Sequence, residues 1–281
     1  MRTPEALPSA GVQDSYVIAG GRAGADRLKV LAEATWPASS EFLSSAGLER
    51  GMRCLDLGCG SGEISLRLLS HLGPTGQVVG CDRDELMVRL SQAAVQPGHN
   101  ARFHVVDIEA EPLAPSQPFD LIYARFLLSH LRSPAQALDK MIASLRPGGI
   151  LVVEDVDFDG HFSFPASPAF DRYVELYRAA ALKRGADPGI GPRLPGLFEE
   201  RGLRQVSFRV VQPAFREGPG KSLALLTMMN IKDAAVESGL ITHEEAAALK
   251  EELRRFTDDP RSILSLPRIF QVAGVRAAPD A

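Results

Sequence analysis

The chain has 281 residues, of which 45% are hydrophobic, and its 31 basic and 35 acidic side chains give a formal net charge of −4. This composition is typical of a globular protein with a sizeable core. It lacks the basic balance of a nucleic-acid-binding surface, and no apolar stretch reaches the roughly 18 residues of a membrane span. We therefore expect neither a nucleic-acid partner nor a membrane span.

The first part of the chain, residues 1–48, is predicted to form a helical lid segment. Residues 22–35 have a helical pattern, and Ser39 to Ala46 predicts a second short helix. From residue 49 to 158, short apolar strands alternate with helices, which is typical of parallel βαβ units. The strands are predicted at Arg53–Leu57, Gln77–Cys81, Ala101–Asp107, Phe119–Ala124 and Ile150–Glu154.

The remaining residues, 159–281, are predicted to complete the sheet and to carry helical insertions. Strands are expected at Arg204–Gln212 and Ser265–Val275, and the insertions at about 159–190 and 219–262. The prediction is an α/β fold: a doubly wound, mostly parallel seven-stranded sheet with helices on both faces and a helical cap. Ligands bind such sheets beyond the carboxyl ends of the strands, so the cap is expected to cover a cleft there.

Two helices carry the spacing of a capping box at their first turn. Ser133 with Gln136 precedes one helix, and Thr242 with Glu245 precedes another. In both cases we expect the side chain of the first residue to cap the helix.

The three cysteines, Cys54, Cys59 and Cys81, lie in or beside predicted strands. An odd number in such positions favours small core residues over a disulfide framework or a metal site. We therefore expect a reducing, cytoplasmic location and no bound metal.

A glycine-rich turn, Gly58-Cys59-Gly60-Ser61-Gly62-Glu63, joins the first strand to the next helix. Such a turn lets a ligand approach the backbone and directs amide N–H groups at it. Two ligands that use it are a dinucleotide pyrophosphate and S-adenosylmethionine. A dinucleotide fingerprint needs glycine at the sixth position, which Glu63 occupies here, so the register disfavours a nicotinamide cofactor.

Three carboxylates stand at or near the ends of three successive strands. Asp82 follows the second strand, where a carboxylate can accept hydrogen bonds from both ribose hydroxyls. Asp107 follows the third strand and can meet an adenine amino group. Asp56 lies beside the glycine turn, where it can orient the loop or bind an ammonium group through water.

Five motifs occur in this order and spacing: LDLGCGSG, VVGCDRD, HVVDIE, FDLIYARFLLSHL and LRPGGILVVED. Together they resemble the motifs of class I S-adenosylmethionine-dependent methyltransferases over about residues 50–158. Two flanking stretches, SYVIAGGRAGADRL and GIGPRLPGLFEERGL, are similar to those of the small-molecule branch that includes ubiquinone and menaquinone biosynthesis. The resemblance implies S-adenosylmethionine as cofactor and S-adenosylhomocysteine as product.

The resemblance also implies which residues hold the cofactor. The methionine and ribose side would be lined by Asp56, Gly58, Cys59 and Gly60. The ribose and adenine would contact Asp82, Arg83, Met87, Asp107 and Ile108. Close to the sulfonium would lie Ala124 and Arg125, and the N-terminal segment folding over the cofactor would supply Tyr16 and Arg27.

Methyl transfer needs a base only where the nucleophile must lose a proton. The candidates are His130, after the fourth strand, and Asp155 and His161, after the fifth. For His130 a packing role is also open, and for Asp155 a capping or ion-pairing role. The apolar stretch around Met228 and Met229, like Phe158, Phe162 and Phe164, either lines the substrate or belongs to the core.

The leading interpretation is methyl transfer to an O, N or C atom of a small, apolar or aromatic molecule by a monomer or homodimer. An RNA or protein methyltransferase is the alternative within the class. A member that binds the cofactor without transferring its methyl group is a further alternative. Arsenic methylation is disfavoured because its thiolates would have to face the cleft, whereas Cys54, Cys59 and Cys81 are assigned to the sheet core.

Overall fold

The computed structural model describes residues 21–113, 115 and 117–278, with side chains from residue 24 onward. Its largest element is a seven-stranded sheet in the order β3-β2-β1-β4-β5-β10-β7, and a small sheet has the order β6-β9-β8. In the large sheet β10 runs in the direction opposite to the other six strands. The strands are β1 (Arg53–Leu57), β2 (Gln77–Asp82), β3 (Ala101–Val105), β4 (Phe119–Arg125), β5 (Leu145–Asp157), β6 (Ser163–Phe164), β7 (Arg204–Val211), β8 (Ala214–Phe215), β9 (Ile263–Ser265) and β10 (Arg268–Val275).

Helices surround this sheet, and the predicted doubly wound, mostly parallel α/β fold is confirmed. The helices are α1 (Gly21–Ser45), α2 (Glu63–Leu72), α3 (Glu85–Ala94), α4 (Pro134–Ser144), α5 (Pro168–Lys183), α6 (Leu194–Glu200), α7 (Leu223–Glu237) and α8 (His243–Asp258).

The two faces of the sheet pack against different helices. Successive residues of β4 alternate between the faces, as the two-residue period of a strand requires. On one face Ile122 packs in a cluster with residues of α4 and α6. On the other face Tyr123 packs with residues of α1 and α2, and Cys54 lies in this second cluster. All three cysteines are buried free thiols, but Cys59 also borders a cavity at the end of β1, so it does not belong to the core alone.

Helix α1 differs from the prediction, because one continuous helix replaces the two short ones. It contains Pro37, which has no N–H to donate to the carbonyl one turn earlier. Apolar residues on both sides of the proline are buried, Leu31 and Ala32 before it and Phe42 and Leu43 after it. Packing of both halves therefore outweighs the missing hydrogen bond.

Strand β5 is also longer than predicted and extends through Asp157. Its last residues pair with the antiparallel strand β10, where Arg268 stands opposite Asp157. Pairing with a strand far along the chain thus determines where β5 ends. As a result, Asp155 and Asp157 belong to the strand and do not follow it.

Of the two predicted capping boxes, the one at α8 is confirmed. Thr242 and Glu245 exchange side-chain and backbone hydrogen bonds at its first turn. The one at α4 is wrong, because the Ser133 side chain makes no capping hydrogen bond. The carboxylate of Glu109 accepts from the backbone N–H of Ser133 instead, at 3.1 Å.

Helices α5, α7 and α8 form a cap with a hydrophobic core of its own, in which Tyr177, Met228 and Leu249 are buried. A small antiparallel sheet of two- and three-residue strands lies at its base. In the described part of the chain, no helix combines the length and the apolar character needed to cross a membrane.

Candidate active site

A cavity of about 450 Å³ lies at the carboxyl ends of β1, β2 and β4, beneath helices α5 and α7. Its wall on the side of the sheet is made by the strand ends and the turns that follow them. The opposite wall is made by α1 and by the cap. This is where open, mostly parallel α/β sheets bind ligands.

The glycine turn after β1 forms part of the sheet wall. Gly58 and Gly60 have φ values of +76° and +52°, in the left-handed region that favours glycine. A Cβ atom on Gly60 would come within 2.9 Å of Cδ1 of Leu28 on α1. The turn thus requires glycine both for its conformation and for the close approach of α1.

Asp82, at the end of β2, supports this turn. Its Oδ2 accepts from the backbone N–H of Gly60 at 2.8 Å, and its Oδ1 accepts from the N–H of Asp84 at 2.9 Å. Burial raises the pKa of Asp82, although these two hydrogen bonds act in the opposite direction. Each oxygen keeps a second lone pair for a ligand that enters the cavity.

The two other predicted carboxylates, Asp56 and Asp107, also line the cavity. Asp56 is buried, and its Oδ2 accepts from the hydroxyl of Ser65 at 2.5 Å. Burial raises the pKa of Asp56 to about 6. The three strand ends therefore bring Asp56, Asp82 and Asp107 to one wall, as their positions in the sequence indicated.

Most of the residues expected to hold the cofactor line this cavity. They are Arg27, Asp56, Gly58, Cys59, Gly60, Asp82, Arg83, Met87, Asp107 and Arg125. Arg125 extends under α1, where one of its guanidinium nitrogens donates to the hydroxyl of Thr35 at 2.5 Å. Tyr16, the remaining lid residue, lies outside the described residues.

Two expected cofactor residues do not line the cavity. Ala124 is fully buried in the sheet core, because its side chain points to the face that packs against α4. Ile108 is buried in the same core and borders a separate hollow of about 20 Å³ beside Asp107. Their side chains therefore contribute packing on the far side of the wall.

The two candidate histidines, His130 and His161, both line the cavity. The Nδ1 of His161 lies 2.8 Å from the carbonyl oxygen of Phe158. Because a carbonyl only accepts, this contact places the proton of neutral His161 on Nδ1 and leaves Nε2 as an acceptor. Burial lowers the pKa of each histidine to about 4, so both are neutral near pH 7.

The third candidate base, Asp155, is fully buried and lies behind the cavity wall. Its Oδ2 accepts from the backbone N–H of Ser129 at 3.0 Å, and its Oδ1 accepts from the N–H of Val156 at 2.9 Å. Asp155 thus anchors the turn that carries His130. The structure gives it a positioning contact instead of the expected contact with substrate.

Of the aromatic side chains in the cap wall, the sequence suggested Phe158, which lines the cavity, but it did not suggest the two tyrosines. Tyr173 and Tyr177 on α5 and Thr227 on α7 line the cavity. Tyr177 stacks on Phe158, with ring centroids 3.9 Å apart and an angle of 9° between the rings. The spacing of four residues between the two tyrosines places them on one face of a helix, and this was the signal available in the sequence.

The other proposed substrate contacts do not reach the cavity. Met228 is buried in the cap core, Met229 is exposed, and Phe162 and Phe164 lie on the surface. Across the residues with described side chains, no group of three or more potential metal ligands comes together.

Comparison with known proteins agrees with this geometry. Residues 48–179 match the family model described as "Methyltransferase domain". A trans-aconitate 2-methyltransferase of Variovorax paradoxus is 36% identical over 44% of this chain and 46% of its own length. A tRNA U34 carboxymethyltransferase of Pseudoalteromonas atlantica is 32% identical over 43% of this chain and 37% of its own. A ubiquinone/menaquinone biosynthesis C-methyltransferase of Ectopseudomonas mendocina is 30% identical over 47% of this chain and 50% of its own.

The chain thus spans about half the length of the curated relatives it matches, or less. Among solved structures, the phosphoethanolamine N-methyltransferase 2 of Haemonchus contortus in complex with S-adenosylhomocysteine has the same fold. It matches with a TM-score of 0.54 and 16% identity, covering 86% of this chain and 53% of the other. Residues 48–179 therefore match a methyltransferase domain, and the fold of the chain is that of a methyltransferase structure that holds S-adenosylhomocysteine.

Proposed function

We propose that this protein transfers the methyl group of S-adenosylmethionine to an O, N or C atom of a small apolar or aromatic molecule. The proposal rests on one observation: a single cavity has a polar wall on the side of the sheet and an aromatic wall on the side of the cap. Carboxylates and a glycine turn line the sheet side, and the aromatic side chains of Phe158, Tyr173 and Tyr177 line the cap side. A cofactor and an acceptor therefore have complementary surfaces within the same space.

The residues of the sheet wall fit the cofactor. The free lone pairs of Asp82 suit the two ribose hydroxyls, and Asp107 suits the amino group of adenine. The left-handed conformations of Gly58 and Gly60 give the turn the shape against which the cofactor would lie. Asp56, with a pKa of about 6, is largely ionised above neutral pH and suits the ammonium of the methionine part.

When bound, S-adenosylmethionine supplies a methyl carbon on a positively charged sulfur, which leaves as the neutral sulfide of S-adenosylhomocysteine in an in-line displacement. The contribution of the chain is orientation and exclusion of water. Helices α5 and α7 cover the cavity, and the stack of Phe158 on Tyr177 gives its cap wall a rigid aromatic surface.

We assign to His161 a hydrogen bond with the hydroxyl or amine of the acceptor. Its Nε2 is an acceptor because Nδ1 is directed at the carbonyl of Phe158. A pKa of about 4 makes it a weak base, so it orients the nucleophile. Where the nucleophile is a hydroxyl, His161 takes its proton only after methyl transfer has made the oxygen strongly acidic; where it is an amine, the proton goes to solvent.

The alternatives are an RNA or protein acceptor and a cofactor-binding protein without transfer. A relative named for action on tRNA gives the RNA alternative its support. Against it stand the net charge of −4 and the helices that cover the cavity. A small molecule is therefore the acceptor that the geometry favours.

Two measurements on the full chain test the proposal. Isothermal titration calorimetry should give a single site for S-adenosylhomocysteine and none for NADH. The protein is then incubated with S-adenosylmethionine and a panel of small aromatic and apolar molecules. Mass spectrometry should detect the release of S-adenosylhomocysteine. Binding of NADH alone would overturn the cofactor. Release only with RNA or protein would overturn the small-molecule acceptor, and no release with any acceptor would favour a cofactor-binding protein.

A further inference from the structure

The charges that line the cavity are divided between its walls. Six carboxylates lie on the sheet side: Asp56, Glu63, Asp82, Asp84, Asp107 and Glu111. Among the described lining residues of α1 and the cap, none is a carboxylate. The titratable groups there are Arg27, His161, Tyr173 and Tyr177.

Arg27 is the cation of that side. Its Nε donates to the hydroxyl of Thr227 at 2.9 Å, and this hydroxyl in turn donates to the carbonyl of Leu223 at 2.7 Å. Thr227 therefore fixes the guanidinium on the cap without supplying a negative charge. No described carboxylate forms an ion pair with Arg27, although the side chain is half-buried.

Two hydroxyls stand beside this cation. Tyr173 and Tyr177 are buried, one helical turn apart on α5, and both line the cavity. Burial raises the pKa of Tyr173 to about 12, even though the nearby Arg27 acts to lower it. Both phenols are therefore protonated near pH 7 and can donate hydrogen bonds.

A half-buried guanidinium without a counter-ion is costly, and an anion placed beside it relieves that cost. A carboxylate fits this group of donors, because the guanidinium binds it in a planar, charge-assisted arrangement. We infer that Arg27, held by Thr227 and joined by Tyr173 and Tyr177, binds a carboxylate of the methyl acceptor. This inference rests on the proposed function and assigns Arg27 to the acceptor instead of the cofactor.

The contacts of α1 support that assignment. Leu28, and not Arg27, is the α1 residue that covers Gly60 in the glycine turn. The hydrogen bond of Arg27 goes to α7, and its tyrosine neighbours belong to α5. The hydrogen-bond partner of Arg27 and its tyrosine neighbours thus all belong to the cap helices.

The test compares carboxylates with amides of the same shape. Binding of benzoate, benzamide, cinnamate and cinnamamide is measured by calorimetry on the full chain saturated with S-adenosylhomocysteine. The variant is Arg27→Gln, which keeps a donor toward Thr227 but removes the charge. The matched control is Lys29→Gln, which removes one positive charge from an exposed position of the same helix.

We expect the carboxylates to bind the wild type at least about tenfold more tightly than the amides, and Arg27→Gln to remove this preference. In Arg27→Gln the affinity for S-adenosylhomocysteine should change less than about twofold. Lys29→Gln should bind the carboxylates and the amides as the wild type does. Equal binding of acids and amides, or no binding of the acids, would overturn the inference. So would a matching loss of S-adenosylhomocysteine affinity in Arg27→Gln, which would assign Arg27 to the cofactor. A wild type that does not bind S-adenosylhomocysteine at all fails at the preceding step and overturns the proposed function itself.

Discussion

The carboxylate of Asp82 holds the backbone N–H of Gly60 at 2.8 Å, which joins the end of β2 to the turn after β1. This contact makes one side chain responsible for two properties of the site. It keeps the glycine turn in place, and it presents the remaining lone pairs of the carboxylate to the cavity. Loss of Asp82 is therefore expected to affect both the shape and the chemistry of the cofactor wall.

Asp82→Ala should weaken binding of S-adenosylhomocysteine by about 1.5 to 3 kcal/mol, the range for charge-assisted hydrogen bonds. Calorimetry on the full chain measures this change directly. Glu85→Gln is the control, because Glu85 is an exposed carboxylate three residues away that forms a surface ion pair with Arg89. An affinity equal to that of the wild type in Asp82→Ala would contradict the ribose role.

Gly60→Ala should lower both stability and cofactor affinity. An alanine in the left-handed region costs about 1 to 2 kcal/mol, and its Cβ would also press on Leu28 at 2.9 Å. Gly202→Ala is the matched control, because Gly202 has φ +72° but an added Cβ there would meet no atom within 4 Å. Thermal unfolding should show a loss in both variants, whereas binding should fall only in Gly60→Ala. Equal affinities in the two variants would argue against a ligand at this turn.

Ser39→Ala tests the attachment of α1 to the sheet. The hydroxyl of Ser39 donates to Oε2 of Glu154, which is fully buried, at 2.8 Å. Removing a donor from a buried carboxyl group should lower the free energy of unfolding by about 1 to 3 kcal/mol. The neighbouring Ser40 donates to the carbonyl of Pro37 at the surface. Ser40→Ala should therefore change the free energy of unfolding by less than about 0.5 kcal/mol. Denaturant unfolding of both variants measures these changes. Similar losses of unfolding free energy in the two variants would contradict a stabilising role for the hydrogen bond between Ser39 and Glu154.

His161 should make stability depend on pH in a defined direction. Its pKa in the folded chain is about 4, below the ordinary value of 6.5, because burial penalises the charged ring. Between these two values the unfolded chain binds a proton that the folded chain does not, so stability from this group is lost as the pH falls. Relative to His161→Gln, the wild type should lose up to about 1.4 kcal/mol per pH unit between pH 6.5 and 4.

This difference between two proteins isolates His161 from other groups. The buried carboxyls of Asp56 and Asp155 have pKa values raised to about 6 and act in the opposite direction, but they are present in both proteins. A difference in the free energy of unfolding that stays constant from pH 6.5 to 4 would contradict the buried, neutral state of His161.

The sheet wall of the site was predictable because each part of it lies at the end of a strand or just after it. Strand ends in a parallel sheet meet at one edge, so Asp56, Asp82 and Asp107 had to lie near each other once β1, β2 and β3 were recognised. Ala124 shows the limit of this reasoning. Position along a strand does not tell which face a side chain takes, and Ala124 points into the core.

The cap wall was harder to predict because tertiary contacts decide it. The sequence suggested Met228 as a substrate contact and gave no such role to Tyr177, yet Tyr177 faces the cavity, while Met228 packs inside the cap. Asp155 was misjudged for a similar reason. Pairing with β10 extends β5 past it and directs its carboxylate at the backbone of Ser129.

The most direct test of the account is a crystal structure of the full chain with S-adenosylhomocysteine. We predict the ribose hydroxyls at the carboxylate of Asp82, the adenine beside Asp107, and the sulfur facing the space beneath Tyr173 and Tyr177. A nucleoside bound outside this cavity, or one whose ribose has no contact with Asp82, would contradict the account.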